Sequence, residues 1–486
     1  MQEAHGDAAA TVPIRLRTSL PGCSIPYVPY MVPVNWRRSQ LSTLVNKVLQ
    51  TADSDRKNVP FDFIVNGELL RTSLDEYLMQ HAQSTEEEIE LEYVRSTLPP
   101  TFRDSAKQDD WISAIDASEP TFILQSSFDG NVRVLNAQNL KKSPKTYVPA
   151  YARSSMSLTS ARWLVSKESV VTGAMNGNVA VWHAPKSSEE TVSILQAAEL
   201  RHHAGPVTNV DVGSTNDELV TVLSAGWDGS IAIWDVPRNL DYPTSAESST
   251  QSEKPKKRRL QNNGKKESIP TPVETIVAPP PTLVFAQVPT TVHASAAKAL
   301  GTKQTAGANA RTTARFDGDQ VYGAAWDGSV KLFDMSKGMA AGEKTSDKVH
   351  LCLDVMRGQS NHAQAITGHM DHSLGLYDFR DTTRHTALAI AHAHGAPIGA
   401  IRSHPHSSYL FASGAYDSRI RVWDVRSPKQ ALFTLSQPRD VSGDSQKENA
   451  KILALDWTMD GNSIVAGGED CRISVYQGSD IGKEHI

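Results

Sequence analysis

One short pattern recurs seven times along this chain of 486 residues. It consists of small residues, a turn carrying Asp or Asn, and an alternating strand that often ends in Trp-Asp. It reads SSFDGNVRVLN from Ser126, GAMNGNVAVWH from Gly173, SAGWDGSIAIWD from Ser224 and GAAWDGSVKLFD from Gly323. It continues as GHMDHSLGLYD from Gly368, SGAYDSRIRVWD from Ser413 and AGGEDCRISVYQ from Ala466. The turn residues are Asp129, Asn176, Asp228, Asp327, Asp371, Asp417 and Asp470, with gaps of 47, 52, 99, 44, 46 and 53. The long gap is one ordinary period plus an insertion of roughly 50 residues. Val132 and Val134 alternate with Arg133, and Ile420 and Val422 with Arg419 and Arg421, the period of a strand with one buried face. Asp-Gly between two such strands is a hairpin signal, because both residues tolerate the positive φ of a tight turn.

These residues resemble the WD-repeat family, with Trp234-Asp235 and Trp423-Asp424 closing two copies. The family's His-turn-Asp arrangement is matched by His203 with Asp228 and Trp234, and by His394 with Asp417 and Trp423. In the remaining copies Asn176 replaces Asp, Phe333 and Tyr377 replace Trp, and Val134-Leu135 stands where Trp is lost. The copy around Asp327 shows no first strand, and Ala296–Arg315 reads as a low-complexity loop. The resemblance implies a mainly β fold, a seven-bladed WD-repeat β-propeller over residues 110–486, with a disordered basic insertion at 237–281. A ring of this kind closes by borrowing a strand from one terminus, which removes exposed sheet edges.

Residues 10–98 follow another grammar. Val12, Ile14 and Leu16 form an alternating strand, with Tyr30–Val34 as its hairpin partner. Ser39 precedes Leu41, Leu44, Val45, Val48 and Leu49, the spacing of an amphipathic helix with Ser39 as N-cap. Phe61–Val65, the Asn66-Gly67 turn and Glu68–Arg71 make a hairpin, Ser73–Gln80 a short helix, and Ile89, Leu91 and Tyr93 a last strand. This is the order of a ubiquitin-like β-grasp (α+β) domain, between a disordered N-terminus (1–9) and a linker (99–109). FDFIVNGELLRTSLDEYL and LEYVRSTLPP resemble the Notchless-type N-terminal domain. Joined to the ring, the chain resembles the WD-repeat ribosome biogenesis factors of the pescadillo-containing (PeBoW-type) complex.

Composition narrows the setting. Charged residues, 49 basic against 54 acidic, leave a net charge of −5, so no whole-molecule basic field seeks nucleic acid. Cys23, Cys352 and Cys471 stand far apart, which disfavours a disulfide scaffold or a cysteine-rich zinc site. No apolar run reaches the roughly 18 residues of a membrane span, and the first fifteen residues lack a secretory pattern.

Two charged tracts and two histidine pairs are the candidate sites. Glutamates occupy positions 86, 87, 88, 90 and 92, and such runs are usually solvated surface. The family resemblance implies a sharper use. A loop carboxylate completes, in trans, a divalent-cation site on the AAA-type ATPase midasin, since a hard cation takes an oxygen ligand. Ser84-Thr85-Glu86 matches the family's Ser-(Ser/Thr)-Glu pattern, which assigns Glu86, with Ser84 beside it and Glu87 as rival. The second tract, KPKKRRLQNNGKK, contains Lys254, Lys256, Lys257, Arg258, Arg259, Lys265 and Lys266 and reads as a nuclear-import signal. Weak, salt-dependent contact with rRNA phosphates is its secondary use. His392 with His394 and His404 with His406 have a ligand-like spacing of two but no further ligand beside them, so no zinc site is assigned. Gly338–Thr345 departs from the phosphate-loop spacing, and no catalytic motif stands in its required context.

The resemblance therefore implies a non-enzymatic assembly factor of the large (60S) subunit, without catalytic residues or a resident cofactor or metal. It acts in the nucleus, nucleolus and nucleoplasm. Its implied partners are pescadillo, a second WD-repeat propeller protein, midasin and the pre-60S particle, with no membrane. The alternatives are a ubiquitin-ligase substrate receptor and a Notchless-type pre-60S factor.

Overall fold

The structure is a computed structural model. It describes residues 10–20, 22–52, 58–66, 68–81, 88–140, 144–149, 156–164, 169–183, 191–215, 218–238, 281–286, 312–356, 364–381, 386, 388–436, 450–478 and 481. The N-terminal domain comprises β1 (Thr11–Arg17), β2 (Tyr30–Pro33), α1 (Arg38–Ala52), β3 (Phe61–Val65), β4 (Glu68–Leu69), α2 (Leu74–Gln80) and β5 (Ile89–Arg95). Its sheet order is β2-β1-β5-β3-β4, with β1 and β5 parallel at the centre. The alternating residues Val12, Ile14 and Leu16 meet Leu41, Val45 and Leu49 of α1 in one core. Helix α2 is capped by the Ser73 hydroxyl, which accepts the Glu76 amide at 3.3 Å. In α1 the cap differs from expectation. Ser39 lies inside the helix, and the Gln40 side chain reaches back to accept the Arg37 amide at 3.1 Å, half of a capping box.

Beyond this domain the strands form five four-stranded sheets and one eight-stranded sheet built from two four-strand units. The innermost strands are Ile112–Asp116, Leu158–Trp163, Val207–Thr215, Thr312–Asp317, His350–Val355, Ile398–Ser403 and Ile452–Trp457, taken below as blades 1 to 7. Each touches the next, and the last touches the first, so the ring is closed. Thr312–Asp317 supplies the first strand expected to be missing from the Asp327 blade, and it includes Thr312–Arg315 of the stretch read as loop. The insertion separates Pro237, which ends the third strand of blade 3, from Leu283, which begins its fourth.

Closure comes from the N-terminal side. Residues Thr101–Lys107 within the stretch read as a linker form β6, which pairs antiparallel with Arg472–Gln477 as the outer strand of blade 7. Blades 1 and 2 are fused. The outer strand of blade 1, Lys145–Pro149, runs parallel to the first part of Thr191–Arg201, the outer strand of blade 2. The N-terminal domain rests on blade 6. The Leu69 amide donates to Ser427 Oγ (2.9 Å), Arg71 donates to the Ala431 carbonyl (2.7 Å), and Lys429 pairs with Glu68 at 2.6 Å.

The turn that defines the repeat is built alike in all seven copies. The residue after each turn residue has positive φ: Gly130, Gly177, Gly229 and Gly328, then His372 (72°), Ser418 (63°) and Cys471 (56°) where glycine is absent. Each turn side chain also accepts the amide two residues on, from Asn131 to Asp129 (2.9 Å) through Arg472 to Asp470 (3.1 Å). Asn176 does the same for Asn178 at 3.1 Å, because only an acceptor oxygen is needed. Ser418 carries both left-handed strain and a buried hydroxyl without a hydrogen-bond partner. Ser418→Gly is therefore expected to stabilise the chain by about 0.5–1 kcal/mol, seen as a higher denaturation midpoint; a lower midpoint would refute the strain.

Candidate functional site

The two histidine arrangements assemble, with one difference. In blade 6 the Trp423 indole N–H donates to Ser413 Oγ (2.9 Å), which leaves the hydroxyl to donate to His394 Nε2 (2.7 Å). The imidazole then presents Nδ1–H to Asp417 at 3.3 Å. Burial pushes the Asp417 carboxyl up, but His394 and the amides of Gly395 and Arg419 outweigh it and hold it down at about 2. In blade 3, His203 joins Asp228 (3.1 Å) and Ser224 (2.6 Å), while the Trp234 indole N–H finds no partner. Asp327 accepts the Ser329 amide and hydroxyl at 2.8 and 2.7 Å in blade 4.

Blade 5 rebuilds the network from another position. His369 stands two residues before the turn Asp, where blade 3 has Gly226, and bridges Thr367 (2.7 Å) and Ser373 (2.8 Å). Blade 1 uses Arg133, which joins Ser127, Asp129 and Asp109. His404 and His406 are tied into the fold, whereas His392 is an exposed turn residue. His404 reaches the Gly461 carbonyl at 3.1 Å and packs edge-on against Trp457, and His406 reaches the Met459 carbonyl at 2.7 Å. Gly338 forms a turn before the outer strand Met339–Thr345 of blade 4.

A ring of charge lines the centre, one residue from each innermost strand: Asp116, Arg162, Asp211, Arg315, Asp354, Arg402 and Asp456. The signs alternate, and because seven is odd, two acids meet between blades 7 and 1. Each aspartate also accepts an amide from the following blade: Trp163 to Asp116 (2.9 Å), Phe316 to Asp211 (3.0 Å), Ser403 to Asp354 (2.6 Å) and Ala117 to Asp456 (3.0 Å). Arg162 serves the acidic pair, at 3.3 Å from Asp116 and 3.2 Å from Asp456, and lies 3.8 Å from Asp211. Burial disfavours its charge, yet these carboxylates outweigh burial and raise its pKa. Arg315 is shifted oppositely, to about 10, by burial and by the neighbouring Arg402.

Around the mouth of this channel lies a collar. The residue before each turn residue is Phe128, Met175, Trp227, Trp326, Met370 or Tyr416, and Glu469 in blade 7. In six blades its amide donates to the carbonyl just before the innermost strand, as from Trp227 to Pro206 (2.9 Å) and Tyr416 to Pro397 (2.9 Å), which sets the side chains on one rim. The Trp227 and Trp326 rings stand 6.3 Å apart, and Trp111 packs edge-on against Phe128 at 6.4 Å. Trp227, Met175, Met370 and Trp111 are each about two-fifths exposed. A cavity of about 360 Å³ is lined by collar residues Phe128, Met175, Trp227 and Tyr416 together with Arg162 and Arg315. The collar thus leaves a partly exposed apolar rim around the cavity. No propeller contact residue is expected from the sequence motifs above, although a signal exists: a position outside the strand alternation is apolar in six of seven copies.

On the N-terminal domain the structure sorts the glutamates. Glu88 pairs with Arg15 at 2.6 Å, and Glu90 and Glu92 face Arg17 at 3.2 and 3.8 Å across the parallel β1–β5 ladder. Ser84, Glu86 and Glu87 lie outside the described residues, as does the basic tract Lys254–Lys266. No group of three or more His, Cys, Asp or Glu side chains suited to a metal ion occurs among the described residues.

A closed ring of such turn-built blades, preceded by a β-grasp domain, defines a WD-repeat propeller protein. The WD domain, G-beta repeat family matches residues 195–235, 386–424 and 442–477, and the NLE (NUC135) domain family matches residues 12–78. The crystal structure of the WD40 beta propeller domain of Doa1 superposes with a TM-score of 0.51 at 14% identity, covering 80% of this chain and 99% of that one. Ribosome biogenesis protein YTM1 of Laccaria bicolor is 30% identical over 92% of this chain and 90% of its own. Ribosome biogenesis protein ytm1 of Schizosaccharomyces pombe (28%, covering 99% of each chain) and the Ribosome biogenesis protein WDR12 homolog of Oryza sativa (28%, 98% of each) match over nearly their whole lengths. The chain belongs to this YTM1/WDR12 family of ribosome biogenesis proteins.

Proposed function

We propose that the chain is a non-catalytic assembly factor for the large ribosomal subunit, working on pre-60S particles in the nucleolus and nucleoplasm. The observation that carries this reading is the match to ribosome biogenesis proteins over nearly the whole chain, both domains included. The propeller holds pescadillo and a second WD-repeat propeller protein, with the collar around Trp227 and Trp326 as the covered surface. The N-terminal domain is a handle. Its loop glutamate, Glu86 with Ser84 beside it, completes a divalent-cation site on midasin, and ATP hydrolysis there becomes traction that releases the factor. Import through Lys254–Lys266 brings the chain to its particle, with rRNA contact secondary. The pairing of Glu88, Glu90 and Glu92 with arginines supports a division of labour in which those three brace the sheet.

One experiment separates the two surfaces. Glu86→Ala is expected to abolish Mg²⁺-dependent capture of midasin while leaving the propeller partners bound. Trp227→Ala with Trp326→Ala is expected to weaken capture of those partners at least tenfold and spare midasin. Retained Mg²⁺-dependent binding by the first variant removes Glu86 from its role, and unchanged partner capture by the second removes the collar.

A further inference from the structure

We infer that the N-terminal domain and the ring closure form a two-stage mechanical release. A load on the domain first breaks its dock on blade 6, and then peels β6 from the outer edge of blade 7, loosening the seam between blades 7 and 1. The chain path dictates this order. Arg95 ends β5 and Thr101 begins β6, leaving a link of five residues, Ser96 to Pro100, that includes Pro99 and Pro100. So short a link holds at most about 18 Å of slack. The Ser96 amide donates to the Pro60 carbonyl at 2.9 Å, which fastens the start of the link to the domain. The dock that shields it combines a few polar contacts and the half-exposed Lys429–Glu68 pair, a weak class of contact, with a small cleft where Leu20, Leu69 and Val94 face Leu410 and Leu432.

The two strand junctions on the load path differ in geometry. Tension across the N-terminal domain enters at the start of β1 and leaves at the end of β5. These strands are parallel neighbours, so it shears all their hydrogen bonds together. Tension on β6 acts at Thr101, opposite Gln477 near the chain's end, and opens the ladder one pair at a time toward Lys107 and Arg472. No β6 residue is buried, and Phe102, 42% exposed, only touches the edge of Tyr476. Past β6 the path continues through the Gln108 amide on the Cys471 carbonyl (2.7 Å) to Trp111, so peeling reaches the collar at the blade 7–1 seam. The use of this opening to loosen a partner on the collar rests on the traction reading above, whereas the mechanics do not.

The test holds the full chain by tags at its two termini in an optical trap. After a dock release that Lys429→Ala with Arg71→Ala eases and that draws the link taut, the first large step is expected to gain ~28 Å, the length of residues 101–108, before the ~300 Å step of the N-terminal domain. Ser105→Cys with Ser474→Cys joins residues that face each other in the ladder. The crosslink is expected to stop the peel at residue 105 and shorten the step to ~14 Å, the length of residues 101–104, and reduction to restore it. Should that variant fail to fold, Phe102→Ala is expected to lower the force of the same step. A first step of ~300 Å, or rupture of the whole ring at once, overturns the inference. Because the trap supplies the load, the result is independent of whether midasin grips Glu86.

Discussion

Arg162→Leu is expected to cost the propeller about 4 kcal/mol, the range for breaking a buried ion pair and leaving its partner charged. From blade 2 this side chain reaches the one place where the alternating ring fails, and its removal leaves Asp116 facing Asp456, which keeps Arg402 at 3.2 Å, across the blade 7–1 seam. The pH dependence identifies the cause. Burial already pushes the Asp116 carboxyl up, and Arg162 with the local hydrogen bonds more than reverses that. Without the arginine, its pKa in the folded chain rises above the unfolded value of about 3.9. The folded variant then binds protons that the unfolded chain does not, and gains stability as pH falls through the raised pKa. Urea midpoints should show a loss that shrinks from pH 8 to pH 5.5. An equal loss at both values would mean that packing, rather than uncompensated charge, sets the cost.

The second large effect concerns the closing strand. A chain beginning at residue 96 retains β6, and one beginning at residue 110 lacks it. The shorter chain forfeits a ladder of six residue pairs, a loss on the order of 5 kcal/mol at about 1 kcal/mol for each hydrogen bond. It also exposes the edge of Arg472–Gln477, an open template for another chain. The longer chain is expected to elute as a monomer with a single cooperative thermal transition. The shorter one should form oligomers and melt well below it. Matching midpoints and monomeric elution of both would show that the ring does not depend on this strand.

What the sequence made legible follows from the range of each signal. The Asp turns, the alternating strands and the N-terminal β-grasp order are local, and they are found where expected. β6 escaped because TFRDSAK carries Arg103, Asp104 and Lys107 and buries nothing, so it reads as a linker. Thr312–Asp317 escaped because it follows a low-complexity stretch with no turn signal before it. His369 was passed over because its blade recruits a histidine from a different position in the repeat. The parallel joining of Lys145–Pro149 to Thr191–Arg201 has no local signature at all. The charge ring is visible only when the seven innermost strands are aligned, since one Asp or Arg per strand is unremarkable by itself.

The pairing of β6 with Arg472–Gln477 also sets a timetable for synthesis. Lys107 leaves the ribosome 365 residues ahead of its partner Arg472. At about 5–20 residues per second, that is a wait of roughly 20–70 s. The N-terminal domain can fold in that interval, but β6 has no native neighbour to pair with until the last blade emerges. A strand kept idle so long beside other nascent chains must not be adhesive, and its three charged residues and lack of buried side chains meet that requirement. The polarity that hid β6 as a strand thus suits it to be made first and used last.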